Sequence, residues 1–236
     1  MKMRLNSLAL VCVLAGSALL VACGGDSGGG GAVLTVKGTA ATGAPLVGAV
    51  SVTCKSGNGS ATSNADGSFT VLVVNGVGPC LLALTPTGGT TLYSVTSGNA
   101  TTQVSNITPM TNLLVSYLSN VPGMVAADPV AWFALGTTQA LLADTTALNT
   151  RIAADFIPAV KTLVPTLSLT DSSFLSTAFV ADPGVSSTDA DLVKLAVAGV
   201  VTDTGAPSPA AITALDTAAS NDAVVVLPTG GAGTGG

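Results

Sequence analysis

The chain contains no histidine and no glutamate; all twelve acidic residues are Asp. Without His there is no Ser-His-Asp triad, no His-ligated metal site and no side chain that titrates unaided near neutral pH. Charged residues make up only 8 % of the 236, against roughly 25 % in an ordinary soluble domain, and Lys plus Arg number seven. A net charge of −5 with so few cations leaves no basic face, which excludes a nucleic-acid partner. Aromatics are 3 %, so a hydrophobic core would consume nearly all of them. Disorder of the whole chain is excluded by a hydrophobic fraction of 48 %. No catalytic residue, metal-ligand set or cofactor site is expected. What remains legible is an address and an architecture.

The address comes first. Lys2 and Arg4 precede an apolar stretch from Leu8 to Ala22, the layout of a secretory leader. It is shorter than the roughly 20 apolar residues that a membrane-spanning helix needs. It ends Leu20-Val21-Ala22-Cys23 and continues Gly24-Gly25. Those four residues resemble the bacterial lipobox. The resemblance implies cleavage between Ala22 and Cys23, diacylglycerol on the Cys23 thiol and an acylated amine. Two or more chains, at about 0.8 kcal/mol per buried methylene, make such attachment lasting. Gly24, rather than Asp, after the lipidated Cys implies the outer membrane. Residues 1–22 are thus read as signal peptide and 23–32 as a Gly-rich tether. The nine residues after Cys23 have a reach of roughly 15–18 Å. Cleavage would leave five basic residues against twelve Asp, a body repelled by anionic headgroups, so the lipid would do the holding.

Residues 33–105 carry short apolar runs punctuated by Gly, Pro, Asn and Asp, which predicts strands near 33–36, 49–54, 68–74, 80–84 and 92–96. Strict alternation in Val50-Ser51-Val52-Thr53-Cys54 puts Cys54 on the face of Val50 and Val52, and Cys80 shares a face with Leu82 and Leu84. Asp66-Gly67 predicts a hairpin turn. With Cys12 removed in the leader and Cys23 lipidated, Cys54 and Cys80 are the remaining thiols in an oxidising compartment, and a disulfide is expected between them. A loop of that length is worth about 3.5 kcal/mol in the chain-entropy model.

Three stretches carry a second resemblance: Val36-Lys37-Gly38, Gly43-Ala44-Pro45-Leu46-Val47-Gly48-Ala49-Val50-Ser51-Val52 and Asn64-Ala65-Asp66-Gly67-Ser68-Phe69-Thr70-Val71. They are similar to the carboxypeptidase regulatory-like domain, a non-catalytic module, which implies an antiparallel, transthyretin-like β-sandwich.

From residue 106 to 228 the period becomes helical. Thr108-Pro109 and Asp128-Pro129 read as caps followed by Pro at the first helical position. Met110, Leu113, Leu114, Tyr117 and Leu118 form one apolar face. One long helix is expected over 138–157, ended or kinked by Pro158, with a further turn or two before Pro165. A short turn is expected at 171–176. Thr188-Asp189-Ala190-Asp191 reads as a capping box opening a helix to Val197, and Ser208-Pro209 opens another with Ile212 and Leu215 inward. A short strand at 224–227 and a flexible tail at 229–236 complete the reading. The fold class expected is α+β with the two parts segregated. Asn106-Ile107-Thr108-Pro109-Met110-Thr111-Asn112-Leu113-Leu114, with Tyr93-Ser94-Val95, looks like a group of proteobacterial lipoproteins that pair this sandwich with a helical region. That likeness implies architecture and no activity.

Several letter patterns imitate chemistry. Gly25-Asp26-Ser27-Gly28-Gly29 spells a serine-protease nucleophile signature but lies in the tether and has no base. Asp203-Thr204-Gly205 matches an aspartic-protease triplet, a mechanism that needs two carboxylates about 3 Å apart. The Gly pattern at 231–236 has no following helix to meet a pyrophosphate. Asp66, Asp182, Asp189 and Asp191 suggest calcium only without the bidentate Glu of an EF-hand, and turn or cap roles are expected instead. Trp132, Phe133 or Tyr93 could stack a sugar, with core packing the expected use. Asn58, Asn99 and Asn106 head acceptor triplets for glycosylation, which the lipoprotein setting argues against. Two functions follow as expectations: a membrane-held, non-catalytic structural or interaction module with an unidentified protein or glycan partner, or a lipoprotein that captures a small molecule or carbohydrate in the helical half or at its seam with the sandwich.

Overall fold

The computed structural model describes residues 32–225. Ala22, Cys23, the leader, most of the tether and residues 226–236 lie outside the described residues. Seven strands come first: β1 (Val33–Thr39), β2 (Gly48–Ser56), β3 (Asn58–Thr62), β4 (Ser68–Val74), β5 (Val77–Pro86), β6 (Leu92–Val95) and β7 (Thr102–Val104). They build two sheets, ordered β4-β1-β7 and β3-β2-β5-β6. The four-stranded sheet is antiparallel throughout, with Val50 opposite Leu84 and Cys54 opposite Cys80. The three-stranded sheet is mixed: β4 runs antiparallel to β1 and β7 runs parallel to it. The expected all-antiparallel arrangement is thereby corrected. A parallel neighbour needs a long crossover, which the chain between β1 and β7 supplies.

The alternation read from the sequence is what joins the sheets. Leu34, Val36, Phe69, Val71 and Val73 of one sheet share a dry core with Val50, Val52, Leu82, Leu84 and Leu92 of the other. Fully burying such a side chain is worth about 1.5–3 kcal/mol. The turn at Asp66-Gly67 forms as expected, with Gly67 at φ +80° and its N–H donating to Asn64 O at 2.9 Å. It does not close a hairpin, however. β3 pairs with β2 and β4 pairs with β1, so the turn carries the chain from one sheet to the other.

Helices follow: α1 (Pro109–Leu118), α2 (Pro129–Ala134), α3 (Gly136–Ala143), α4 (Thr145–Arg151), a π-helical turn (Ile152–Phe156), α5 (Ile157–Leu163), α6 (Ser173–Ser176), α7 (Ser187–Val197) and α8 (Pro209–Ser220). Thr108 caps α1 through a reciprocal pair with Thr111, Asp128 caps α2 and Ser208 caps α8, all at the expected positions. The long helix expected over 138–157 is broken. Asp144 leaves helical geometry and its carboxylate takes the Ala147 N–H at 3.0 Å, starting α4 afresh. At Pro158 the helix is distorted rather than ended, and the further turns expected before Pro165 form. In the π turn before Pro158 Ile157 N–H reaches back to Ile152 O, and the helix then continues to Leu163. That wider turn sits where the Pro158 nitrogen, lacking a hydrogen, has no bond to give. Ser186, not Thr188, caps α7. Ile212 is exposed, and only Leu215 of that pair faces inward. Val224 and Val225 are not in a strand; Val225 N–H donates to Pro122 O instead.

The helices close on a second core that includes Met110, Leu114, Tyr117, Trp132, Phe156 and Phe174. Tyr117, Phe156 and Phe174 form a tilted row with centroids 5.7 and 5.9 Å apart, a preferred aromatic geometry. Leu81 and Val95, on the far face of the four-stranded sheet, belong to this second core. β5 therefore gives Leu82 and Leu84 to the sandwich and Leu81 to the helices, a strand buried on both faces.

Candidate functional site

Cys54 and Cys80 are joined by a disulfide, the pairing expected from the sequence. Their strands place them directly opposite, and both are buried. The other expected site, cleavage after Ala22 and lipid on Cys23, lies outside the described residues.

The Asp residues singled out above do not converge. Asp203 is exposed in the turn that closes when Gly205 N–H donates to Thr202 O. Asp66 accepts from Ser68 N and Oγ, which lowers its carboxyl below the ordinary value and leaves it a turn residue. Asp182 holds Gly184 N. Asp191 accepts from Ser168 N and pairs with Lys194 Nζ at 2.7 Å. Asp189 is fully buried: its Oδ1 accepts from Gly43 N at 3.2 Å and its Oδ2 has no partner. Burial raises its carboxyl, the Gly43 N–H opposes that, and Asp182 adds to it. Among the described residues no three Cys or Asp side chains gather as a metal-binding group.

A different acidic group forms where α8 meets α1 and the π turn. Asp222 pairs with Arg151 and accepts the Tyr117 hydroxyl at 2.8 Å. Arg151 also donates to Ala223 O, and Asn120 Nδ2 donates to Asp216 Oδ1 at 2.8 Å. Burial, with Asp222 adding repulsion, raises Asp155; burial alone raises Asp216. Tyr117 is pushed well above the ordinary phenol range, first by burial and then by Asp222. A surface hollow of about 340 Å³ opens beside Tyr117, Asp155 and Asp222. The chemistry here is that of a clamp: Asp222 uses one oxygen for both Arg151 and Tyr117, fastening the segment after α8 to α4 and α1.

A second hollow, of about 350 Å³, lies at the seam of sheet and helices, between β6 and α1. Its walls include Tyr93, Asn112, Ser116, Ser119 and Asp128. Trp132 and Phe133 are buried in the helical core, so of the three aromatics considered for stacking only the half-buried Tyr93 reaches a groove. The polar stripe Asn112, Ser116, Ser119 and Asn120 has helical spacing and was legible in the sequence, but the apolar face of the same helix drew the reading instead.

Asn106 heads an acceptor triplet and opens the helical region in the sequence. It is fully buried: its Oδ1 accepts Thr39 N–H, and its Nδ2 donates to Phe174 O and Thr177 O. Asn58 and Asn99 are exposed. Among the described residues no helix is long and apolar enough to cross a membrane. Comparison with protein-family models, curated proteins and solved structures finds no match.

Proposed function

We propose that the chain is a lipid-anchored protein of the cell envelope, attached through Cys23 to the outer membrane, and that its folded body is a non-catalytic structural or interaction module. The observation that carries this is the partition of the cysteines. Cys54 and Cys80 are bonded to each other, a pairing that belongs to an oxidising compartment. Cys23 stands at the end of an apolar leader behind Leu20-Val21-Ala22, where a thiol is wanted for lipid rather than for a bridge. The lack of His and the dispersal of Asp66, Asp182, Asp189, Asp191 and Asp203 into turns, ion pairs and packing support a role without catalysis. The carboxypeptidase regulatory-like, transthyretin-like assignment of residues 33–105 belongs to the same reading; the two-sheet core and the Asn64–Ser68 turn support it.

Metabolic labelling with an alkyne palmitate tests the anchor. Label is expected on the parent chain in the membrane fraction and none on the Cys23→Ala variant. An unlabelled parent chain overturns the reading.

The second reading, capture of a small molecule or carbohydrate, is favoured by one observation, the polar hollow at the seam.

A further inference from the structure

We propose that the seam hollow between β6 and α1 is a binding site for a neutral saccharide of one or two rings. The inference rests on the second reading above and names its ligand class and contact residues.

Asn112 carries the argument. It is only 8 % exposed and lines the hollow. Its Oδ1 accepts Tyr93 N–H at 3.1 Å, which fixes the amide orientation. That leaves Nδ2, a donor of two hydrogens, with no protein partner among the described residues. That nitrogen is not sealed from solvent: it opens onto the hollow, where water or a ligand oxygen can accept from it. Around it the hollow alternates hydrogen-bonding roles. Ser116 on the same helix face and Ser119 at its C-cap follow Asn112; the Ser119 hydroxyl donates to Ser116 O, so towards the hollow it can only accept. On the facing wall Asp128 uses Oδ1 to cap α2, taking Val130 N–H and Ala131 N–H, and keeps Oδ2 free to accept. Tyr93 supplies a half-buried aromatic ring at the rim.

This combination selects a class of ligand. No Lys or Arg lines the hollow, so a phosphate or carboxylate finds no counter-charge. The single carboxylate is already engaged with a helix start. Vicinal sugar hydroxyls both donate and accept, matching Asn112 Nδ2 on one side and Asp128 Oδ2 on the other. The C–H face of a pyranose fits a flat aromatic ring. A volume of about 350 Å³ lies at the small end of ligand pockets, about 300–1,000 Å³.

Saturation-transfer NMR on the full chain in detergent tests this, with glucose, galactose, N-acetylglucosamine and their β1,4-linked dimers as probes. A parallel set of amino acids, nucleosides and short fatty acids serves as contrast. Two variants probe the contacts: Asn112→Asp retains the Oδ1 that holds Tyr93 N–H and exchanges the free donor for an acceptor, and Tyr93→Leu retains apolar contact without the ring. At least one sugar is expected to saturate in the millimolar range, and each variant is expected to weaken it about tenfold while its circular dichroism spectrum stays that of the parent. Sugar binding that survives both substitutions overturns the site. Binding confined to the contrast set overturns the saccharide assignment and leaves capture standing. Silence from both sets overturns the proposal and the second reading together.

Discussion

Asn106 accepts the backbone N–H of Thr39 at 3.1 Å, a bond spanning 67 residues that ties the end of β1 to the start of the helical region. The same side chain donates to Phe174 O within α6 and Thr177 O at its C-cap, and its own backbone N–H donates to Leu175 O. One amide thus satisfies three backbone groups, two of them in fully buried bonds, from two distant parts of the chain. Because an unpaired buried polar group costs about 1–3 kcal/mol, the joint is strong only while it is complete.

Asn106→Ala is therefore expected to destabilise the protein by about 3 kcal/mol or more. For a chain of this size that lowers the melting temperature by roughly 6–12 °C. Asn58→Ala, at an exposed position of another acceptor triplet whose side chain makes no hydrogen bond among the described residues, is expected to change nothing measurable. Thermal unfolding followed by circular dichroism compares them, and equal melting temperatures for the two variants would remove Asn106 from this role.

The clamp at α8 orders two further substitutions. Tyr117→Phe removes one hydrogen bond and leaves Asp222 paired with Arg151, a loss of about 1 kcal/mol. Asp222→Ala strands the half-buried Arg151 and the buried Tyr117 hydroxyl together, and is expected to cost about 3 kcal/mol. Urea unfolding of both variants measures the order. A larger loss for Tyr117→Phe would contradict it.

The disulfide closes a separation of 26 residues between buried partners. The chain-entropy model assigns such a loop about 3.5 kcal/mol. The double variant Cys54→Ala/Cys80→Ala is expected to unfold at correspondingly lower denaturant. In the native parent the bridge is expected to resist mild phosphine until denaturant opens the sandwich. Rapid reduction under native conditions would show that the bridge is not enclosed.

Stability should rise on mild acidification. Asp155, Asp189 and Asp216 are all raised above 3.8, in each case first by burial. The folded state then binds protons more tightly than the unfolded chain, so stability is lost as pH rises through their raised values. Melting temperature is expected to increase from pH 7 downward and to stop rising near pH 4. Asp66 and Asp171, lowered by Ser68 and Ser173, act in the opposite sense only below 3.8 and sit at the surface. Asp189→Asn keeps an acceptor for Gly43 N–H and removes the buried charge, so the difference between pH 7 and pH 4.5 should shrink. An undiminished difference would exclude Asp189 as a contributor.

The amino-acid sequence alone determined the local pieces: the alternation of Val50, Val52 and Cys54, the caps Thr108, Asp128 and Ser208, the apolar face of α1, and the Cys54–Cys80 pair. Each depends on neighbours within one turn, one strand or one choice among few thiols, and short-range sterics and hydrogen bonding settle such choices. Only the tertiary structure decided the rest. Whether Asp66-Gly67 closes a hairpin depends on which strand β1 recruits, and Asp144 breaks a helix that periodicity alone would continue. Asp189, Asp191 and Asn106 look like caps or surface triplets in the sequence. They are buried because the polar backbone groups of remote segments, Gly43, Ser168, Thr39, Phe174 and Thr177, had to find partners once water was excluded. Leu81 and Leu82 show the same division. Alternation sends them to opposite faces, but only the packing of the helices, α1 on β6 and α3 on β5, makes both of those faces an interior.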